Sequence, residues 1–296
     1  MAIPRRQQRL QGRHAYVDGI RFVMPVNSRD SSAMIAAFPI DWDKARALIP
    51  PGDVYPYRLW NRGLLIVTVV DYRQTDIGAY IEYSLAIACT RGARPAPRLI
   101  PGLLLKLFGT GQYVFDLPVS TEISVKGGKG IWGMPKHQAS LDFVAGTQWV
   151  SSQYDLDGQM VSRFDVRCPK SYWLPINTGA TNYCVFRDMM MKSTIYFNGK
   201  AGLHLLRTGS ARLLLGTHPR ADVIRGLDVD PNPIFAAYIP EVLGLLDDDF
   251  ECWFVTLEEE PPAPISEGLE STYPLGYGRE WLPPPKRDPN FDLNKA

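Results

Sequence analysis

The chain has 296 residues and a formal net charge of +1, and 45% of its residues are hydrophobic. This composition supports a sizeable core, and the length predicts one large domain or two small ones. The near-neutral charge balance argues against nucleic acid or an anionic membrane surface as a partner. The most apolar run, residues 99–108, is too short to cross a bilayer, so no membrane partner is expected.

The cysteines do not indicate a metal or redox site. Cys89, Cys168, Cys184 and Cys252 lie far apart, with neither a Cys-x-x-Cys pair nor a Cys/His spacing typical of zinc sites. We therefore predict no metal, no cofactor and reduced thiols. No apolar signal region follows Met1, so the expected location is cytoplasmic.

The N-terminal third is predicted to contain an arm, a helix and three strands. Residues 1–30 are polar and basic and are assigned to an N-terminal arm. Residues 41–49 predict a short helix with Asp41 as its N-cap. Strands are predicted at residues 33–39, 63–71 and 80–90, and the last two are expected to pair antiparallel.

The remainder of the chain also favours strands, after a proline- and glycine-rich connection at residues 91–111. Asp157-Gly158 and Asn198-Gly199 each favour a tight hairpin turn. Residues 233–246 predict a helix that Pro240 breaks or kinks. Residues 114–125 lead into the segment at residues 129–143, and the strands predicted in this part are residues 139–144, 149–155, 159–166, 194–197, 201–207, 210–215 and 250–257.

Strands joined by hairpins, with few helices, indicate an α+β, mainly β fold. The sheet is expected to be antiparallel and curled or closed, with a few peripheral helices. We assign residues 31–257 to this domain. Residues 258–296 are acidic and proline-rich, so they predict either an arm across the domain or onto a neighbouring subunit, or a loose terminus.

The segment at residues 129–143 combines a rigid dipeptide with two adjacent basic residues. A glycine-rich turn is predicted at residues 127–128. Pro135 fixes its own φ and biases Met134 towards an extended conformation, so Lys136 stands at a defined point where a strand begins. A histidine follows directly. The pattern alone also fits a solvated lysine at the start of a strand.

These residues resemble the active-site segment of the acetoacetate decarboxylase family, which has the pattern Gly-x-x-x-x-Gly-Tyr-Pro-Lys-Lys. Lys136 takes the place of the first lysine, which in that family forms a Schiff base with a keto acid. His137 takes the place of the second, which lowers the pKa of the first. Residues 78–83 resemble the family's Gly-x-Tyr-x-Glu segment, which places Glu82 on an active-site glutamate, and residues 209–219 resemble a late strand and its turn.

The resemblance extends over about residues 29 to 254 and implies a cone-like antiparallel β-barrel, a homo-oligomer and a lyase acting on a small-molecule keto acid. Decarboxylation of a β-keto acid through a lysine iminium is the leading reaction. Two features depart from the family: a histidine replaces the second lysine, and residues 65–68 lack its second carboxylate. Aldol condensation with dehydration, or hydration, of pyruvate-like acids is therefore an alternative for the same lysine. A non-catalytic ligand-binding barrel is a further one.

The predicted catalytic residues are Lys136 and Glu82. Alternation along residues 80–85 puts Glu82 on one strand face with Tyr80 and Ser84. Glu82 either moves protons or pairs with an arginine. The predicted substrate-binding residues are Arg29, His137, Met134, Trp132, Tyr80 and Phe115.

The six substrate-binding residues are predicted to differ in what they contribute. The apolar and aromatic ones would form a wall that disfavours a charged lysine, and His137 would add positive charge while protonated. Arg29 would hold a substrate carboxylate through two parallel hydrogen bonds, or else lie on the surface.

Overall fold

The computed structural model describes residues 12–102 and 104–255, and the predicted tail at 258–296 lies outside them. The helices of the described part are α1 (Trp42–Leu48), α2 (Glu122–Trp132) and α3 (Arg220–Gly226), with a 3₁₀ turn at Ile100–Gly102. The strands are β1 (Arg13–Val17), β2 (Ile20–Met24), β3 (Val26–Asp41), β4 (Val54–Pro56), β5 (Arg62–Thr75), β6 (Tyr80–Arg91), β7 (Gly111–Val119), β8 (Lys136–Gln138), β9 (Ser140–Leu141), β10 (Val144–Ala145), β11 (Trp149–Leu156), β12 (Gln159–Arg167), β13 (Leu174–Phe186), β14 (Met189–Leu205), β15 (Ala211–Leu215), β16 (Phe235–Ile239), β17 (Val242–Leu246) and β18 (Glu251–Phe254).

The largest sheet closes on itself. Its strands follow the order β6-β5-β3-β16-β14-β13-β7, and β7 pairs again with β6, so the path returns to its start. Most neighbours are antiparallel, but β7 pairs in parallel with both β13 and β8. The predicted mainly β fold with a closed sheet and peripheral helices is confirmed.

A second sheet covers one side of this barrel and forms the main core with it. Its order is β10-β11-β12-β15, with β9 beside β11. Phe38 of β3 and Phe164 of β12 meet edge to face, with ring centroids 6.4 Å apart. Because side chains alternate along a strand, the other faces of β3, β5 and β6 point into the barrel. One face of each strand therefore builds the core, and the other lines a cavity.

Several predicted elements are confirmed. α1 begins after Asp41, whose Oδ1 accepts a hydrogen bond of 2.9 Å from the backbone N–H of Lys44. β5 and β6 pair antiparallel. β11 and β12 form a hairpin through Asp157 and Gly158, which have the positive φ angles (52° and 74°) that such a turn requires.

The second predicted hairpin is wrong. Asn198-Gly199 lies within the long strand β14, and the chain reverses instead at Arg187-Asp188, where φ is 49° and 60°. Gly199 permits a close approach of backbones, because an ideal Cβ there would lie 2.6 Å from the carbonyl oxygen of Glu241. The glycine therefore accommodates tight strand packing rather than a turn.

The helix predicted at residues 233–246 is also wrong. The segment forms β16 and β17, with Pro240 in the connection between them. Both strands pair with β3 and β14 in the barrel wall. The branched and aromatic side chains of this segment favour strands, and burial in the wall outweighs its helical pattern.

Much of the predicted N-terminal arm belongs to the folded domain. β1 and β2 form a hairpin, and β3 starts at Val26. Val17 packs against Gly130 and Phe22 against Gly127, where ideal Cβ atoms would lie 2.6 and 2.7 Å from these side chains. The hairpin therefore packs directly on α2. No helix among the described residues is both long and apolar enough to span a membrane.

Candidate active site

The C-terminal end of α2 determines the position of Lys136. The helix ends at Gly133, whose φ is 64° and whose N–H donates to the carbonyl of Lys129. The N–H of Met134 donates to the carbonyl of Gly128, which completes a common glycine-terminated helix end. The turn predicted at residues 127–128 is therefore wrong, because both glycines lie inside α2.

Pro135 prevents the helix from continuing, and Lys136 opens β8 in register with Leu117 of β7. The aliphatic part of Lys136 crosses the helix at Gly128. An ideal Cβ at Gly128 would lie 2.7 Å from Cε of Lys136 and closer still to its Cδ. The missing side chain therefore creates the channel through which the lysine reaches the barrel interior.

Lys136 ends in a buried ion pair with Glu82. Its Nζ lies 2.6 Å from Oε2 of Glu82, and the two side chains are only 4% and 17% exposed. Nζ also donates to Oγ of Ser124 at 3.0 Å. Glu82 thus pairs with a lysine and not with an arginine, and Arg73 pairs with Asp30 instead.

Tyr80 forms an aromatic wall beside the amine. Nζ of Lys136 lies 5.4 Å from the centroid of the Tyr80 ring, which stacks on Tyr72 at 4.6 Å. The Tyr80 hydroxyl is hydrogen-bonded to Ser124. Burial, with a contribution from the charge of Glu82, raises the pKa of Tyr80 well above its ordinary value, so this hydroxyl stays protonated at neutral pH.

Lys136 and Glu82 face one cavity inside the barrel, with a volume of about 140 Å³. Tyr80, Glu82 and Ser84 line it together, as strand alternation predicts. Lys136 and Glu82 are the only charged side chains among the described residues of this lining. The others include the apolar Val26, Ile35, Val70, Val114, Leu117, Met134, Ile195, Phe197 and Leu246 and the polar Asn27, Ser28, Thr68, Gln112 and Asn182.

His137 points to the opposite side of β8, outside the cavity lining. Its Nε2 lies 2.9 Å from the Tyr154 hydroxyl and its Nδ1 3.5 Å from Oδ1 of Asp116, which also pairs with Arg220 at 2.9 Å. Burial, reinforced by Arg220, lowers the pKa of His137 to about 4. The ring is therefore neutral at neutral pH, and the expected positive charge beside Lys136 is absent.

Arg29 is also placed away from the lysine. Its side chain is 54% exposed and pairs with Asp76 at 2.6 Å. It lines a neighbouring surface pocket that shares Asn27 and Ser28 with the central cavity. Of the two alternatives predicted for Arg29, its position therefore matches the surface arginine.

The predicted apolar wall is half correct. Tyr80 and Met134 line the cavity. Trp132 is buried behind Met134 and donates its indole N–H to the carbonyl of Asp247 at 2.9 Å. Phe115 lies where the pairing of β6 and β7 shifts register, and it packs on the main core. Val114 before it and Leu117 after it both line the cavity, so Phe115 faces the core at this irregularity.

Three residues of the site were not predicted: Ser124 beside the amine, and Gln112 and Asn182 in the cavity wall. A helix end was readable at Gly133, because a glycine followed by a nearby proline commonly ends a helix. That signal would have placed Ser124 one helical turn before Gly128, on the face that Lys136 crosses. No local pattern marks the other two residues.

The fold and the site together define a closed barrel with an enclosed lysine–glutamate pair. A sequence model described as acetoacetate decarboxylase matches residues 8–168, which is more than half of the 296-residue chain. The chain belongs to the acetoacetate decarboxylase family.

Solved structures share this fold at low sequence identity. An acetoacetate decarboxylase superposes with a TM-score of 0.58 and 14% identity, over 78% of this chain and 89% of its own. The acetoacetate decarboxylase of Legionella pneumophila gives 0.55 and 14%, over 75% and 85%. The enduracididine biosynthesis enzyme MppR, solved with pyruvate, gives 0.54 and 12%, over 77% and 90%. A search of curated proteins gives no significant match.

Proposed function

We propose that this chain is a Schiff-base-forming lyase that decarboxylates a β-keto acid through an iminium at Lys136, with Glu82 moving the protons. The observation that carries the proposal is the 2.6 Å contact between Nζ of Lys136 and Oε2 of Glu82 inside a largely apolar cavity. Family membership supports it.

The first half of the reaction forms the iminium. A proton passes from Lys136 to Glu82 along their hydrogen bond, which frees the lone pair of Nζ. The amine adds to the keto carbon, so that a C–N bond forms as the C=O π bond opens, and one N–H proton moves to the oxygen to give the carbinolamine. Glu82 then returns the proton to the carbinolamine oxygen, which leaves as water. Ser124, 3.0 Å from Nζ, keeps the amine aligned.

The second half breaks the C–C bond to the carboxylate. CO2 leaves, and the electron pair of the broken bond moves towards the iminium nitrogen to give an enamine. Glu82, reprotonated from solvent, delivers a proton to the α carbon. Water then hydrolyses the product iminium and frees Lys136. The net reaction converts a β-keto acid anion and a proton into a ketone and CO2.

The cavity lining favours loss of the carboxylate. Among the described lining residues no arginine is present, and the cation of Lys136 is already paired with Glu82. A buried carboxylate without its own cationic partner is unfavourable, whereas CO2 is neutral. Decarboxylation therefore relieves an electrostatic penalty that binding imposes.

Trapping of the iminium tests the proposal. Incubation with acetoacetate and borohydride should add mass at Lys136, accompanied by CO2 release, and Lys136→Gln should abolish both. Lys200→Gln, which removes an exposed lysine, serves as the matched control. An adduct at another lysine, or none, would remove the proposal.

One observation favours a second reaction for the same lysine. Thr68 of β5 lines the cavity opposite Ser84, and Glu82 is the only carboxylate among the described lining residues. A site with a single carboxylate also suits aldol condensation with dehydration, in which the enamine attacks an aldehyde. Consumption of pyruvate and an aldehyde, with no CO2 release from acetoacetate, would favour that reaction.

A homo-oligomer is the expected form of the active protein, as membership of the family implies, and the cytoplasmic location remains the expectation drawn from its cysteines. Light scattering of the purified chain measures its mass in solution, and a monomer would contradict this expectation.

A further inference from the structure

The cavity lining distinguishes charged from uncharged substituents on the keto carbon. Lys136 and Glu82 neutralise each other, and the other described lining side chains are uncharged. A second carboxylate on a substrate would find no cationic partner there. Because burying an unpaired charge is strongly unfavourable, the lining selects against such a substrate.

Gln112 and Asn182 form a polar pair in this wall. They are register partners on the parallel strands β7 and β13, and both side chains line the cavity. Nε2 of Gln112 donates to Oδ1 of Asn182 at 2.8 Å. Each side-chain amide has a donor group and an acceptor oxygen, so the pair retains acceptor capacity on Gln112 and donor capacity on Asn182.

The pair lies well along the cavity wall from the amine. Lys136 is in register with Leu117, and Gln112 lies five residues earlier on β7. This separation corresponds to roughly 16 Å of extended strand, and Nζ of Lys136 lies beside Glu82, whose register partner on β7 is Val119. Val114 and Leu117 line the wall between the two ends. A long apolar stem therefore fits next to the keto carbon.

We infer that the substrate carries an uncharged substituent with a long apolar stem and a terminal hydroxyl or carboxamide, and that Gln112 and Asn182 determine this specificity. The inference rests on the proposed function, since it takes Lys136 as the point of attachment. A hydroxyl or carboxamide both donates and accepts, which matches the pair. A carboxylate only accepts and brings an unpaired charge.

Three stable ketones of matched length test this inference: 2-nonanone, 9-hydroxy-2-nonanone and 8-oxononanoate, which end in a methyl, a hydroxyl and a carboxylate group. The rate of borohydride-dependent labelling of Lys136 is measured for each at equal, subsaturating concentration. We expect the hydroxyketone to react about tenfold faster than 2-nonanone, and 8-oxononanoate to be slowest by a further factor of about ten or more.

Variants of the polar pair assign the effect to its residues. Gln112→Leu should remove the advantage of the hydroxyketone, and Asn182→Leu provides a second variant with the same expectation. Gln112→Lys should make 8-oxononanoate the preferred ketone, because it supplies the missing cation. Gln159→Leu, an exposed glutamine on β12, is the matched control and should keep the wild-type order.

The outcomes separate this inference from the proposed function. Labelling of Lys136 at equal rates by all three ketones overturns the inference and leaves the lysine chemistry intact. The same holds if Gln112→Leu and Asn182→Leu both retain the wild-type ratios. Absence of labelling at Lys136 with every ketone overturns the lysine chemistry and the inference together.

Discussion

The side chain of Lys136 fills the space that a side chain at Gly128 of α2 would occupy. The glycine therefore determines the path of the lysine. An ideal Cβ at Gly128 would lie 2.7 Å from Cε of Lys136. Glycine is unfavourable within a helix by about 1 kcal/mol relative to alanine. Glycine therefore destabilises the helix locally, but it allows the amine of Lys136 to reach Glu82.

Gly128→Ala should impair the lysine even though alanine favours helix. Overpacking typically costs about 1–3 kcal/mol, which exceeds or offsets the gain in helix propensity, so we expect stability to fall by up to about 2 kcal/mol. The displaced amine should react with ketones at least about tenfold more slowly, since small misplacements strongly reduce rates. Thermal melting and borohydride labelling measure the two effects.

Gly226→Ala is the control for this substitution. Gly226 ends α3, and an added Cβ there would meet nothing within 4 Å. This variant should keep full labelling of Lys136. Wild-type labelling in Gly128→Ala would show that the lysine reaches the cavity by another path.

Glu82→Gln should separate proton transfer from the fold. The amide keeps the shape of the side chain but cannot carry the proton to the α carbon, and general acid–base groups contribute roughly 10²–10⁴-fold. We expect CO2 release from the preferred keto acid to fall by that factor. Glu122→Gln, whose glutamate is 70% exposed, should change the rate little. Equal rates in both variants would exclude Glu82 as the proton carrier.

Asp116 and His137 should have opposing effects on stability between about pH 4 and 6. Burial lowers the pKa of His137 from 6.5 to about 4, so the native state disfavours its proton and stability rises with pH across that window. Burial raises the pKa of Asp116 from 3.8 to about 6, so stability falls with pH there. In the wild type the two slopes nearly cancel.

Single substitutions should reveal how each group alone changes stability with pH. Relative to wild type, Asp116→Asn should gain stability with rising pH, and His137→Gln should lose it, each by at most about 1.4 kcal/mol per pH unit. Denaturant melts at pH 4, 5, 6 and 7 measure these slopes. Parallel curves for the three proteins would mean that neither group titrates in this range.

Features set by local periodicity were predictable from the sequence. Alternation along β6 correctly placed Tyr80, Glu82 and Ser84 on one face, and the Asp157-Gly158 hairpin was predicted correctly. The same local logic failed at Asn198-Gly199, because that dipeptide also suits two closely packed strands. A glycine in such a dipeptide shows only that the backbone needs freedom or close packing there. Tertiary contacts decide whether a turn or a strand forms.

Features set by register or by distant pairing were not predictable. Gln112, Val114 and Leu117 of β7 line the cavity, so the two-residue period breaks at the register shift beside β6, and Phe115 packs on the core there. His137 contacts Tyr154 of the second sheet and Asp116 of the neighbouring strand β7, and burial together with Arg220 keeps its ring neutral. Nothing in the sequence near residue 137 indicates either contact, since both depend on how strands distant in the sequence are placed beside β8.

Substitution of Asp76 should destabilise the protein more than substitution of its ion-pair partner Arg29. Asp76 Oδ2 accepts hydrogen bonds from the backbone N–H of Asn27 at 2.8 Å and from its Nδ2 at 3.0 Å, and thereby holds a residue of the cavity lining. Asp76→Ala removes both hydrogen bonds and leaves the backbone N–H of Asn27 without this acceptor, so we expect a loss of about 1–3 kcal/mol and weaker substrate binding.

Arg29→Gln should have little effect by comparison. The guanidinium is largely exposed and lies outside the cavity lining, and exposed ion pairs contribute about 0–1 kcal/mol. We expect KM for the keto acid to change less than about threefold, because the substrate carboxylate does not depend on this cation. Arg73→Gln, which removes another exposed pair, is the control. A tenfold rise in KM for Arg29→Gln alone would mean that the guanidinium turns inward to hold the carboxylate, contrary to the charge balance on which the proposed decarboxylation depends.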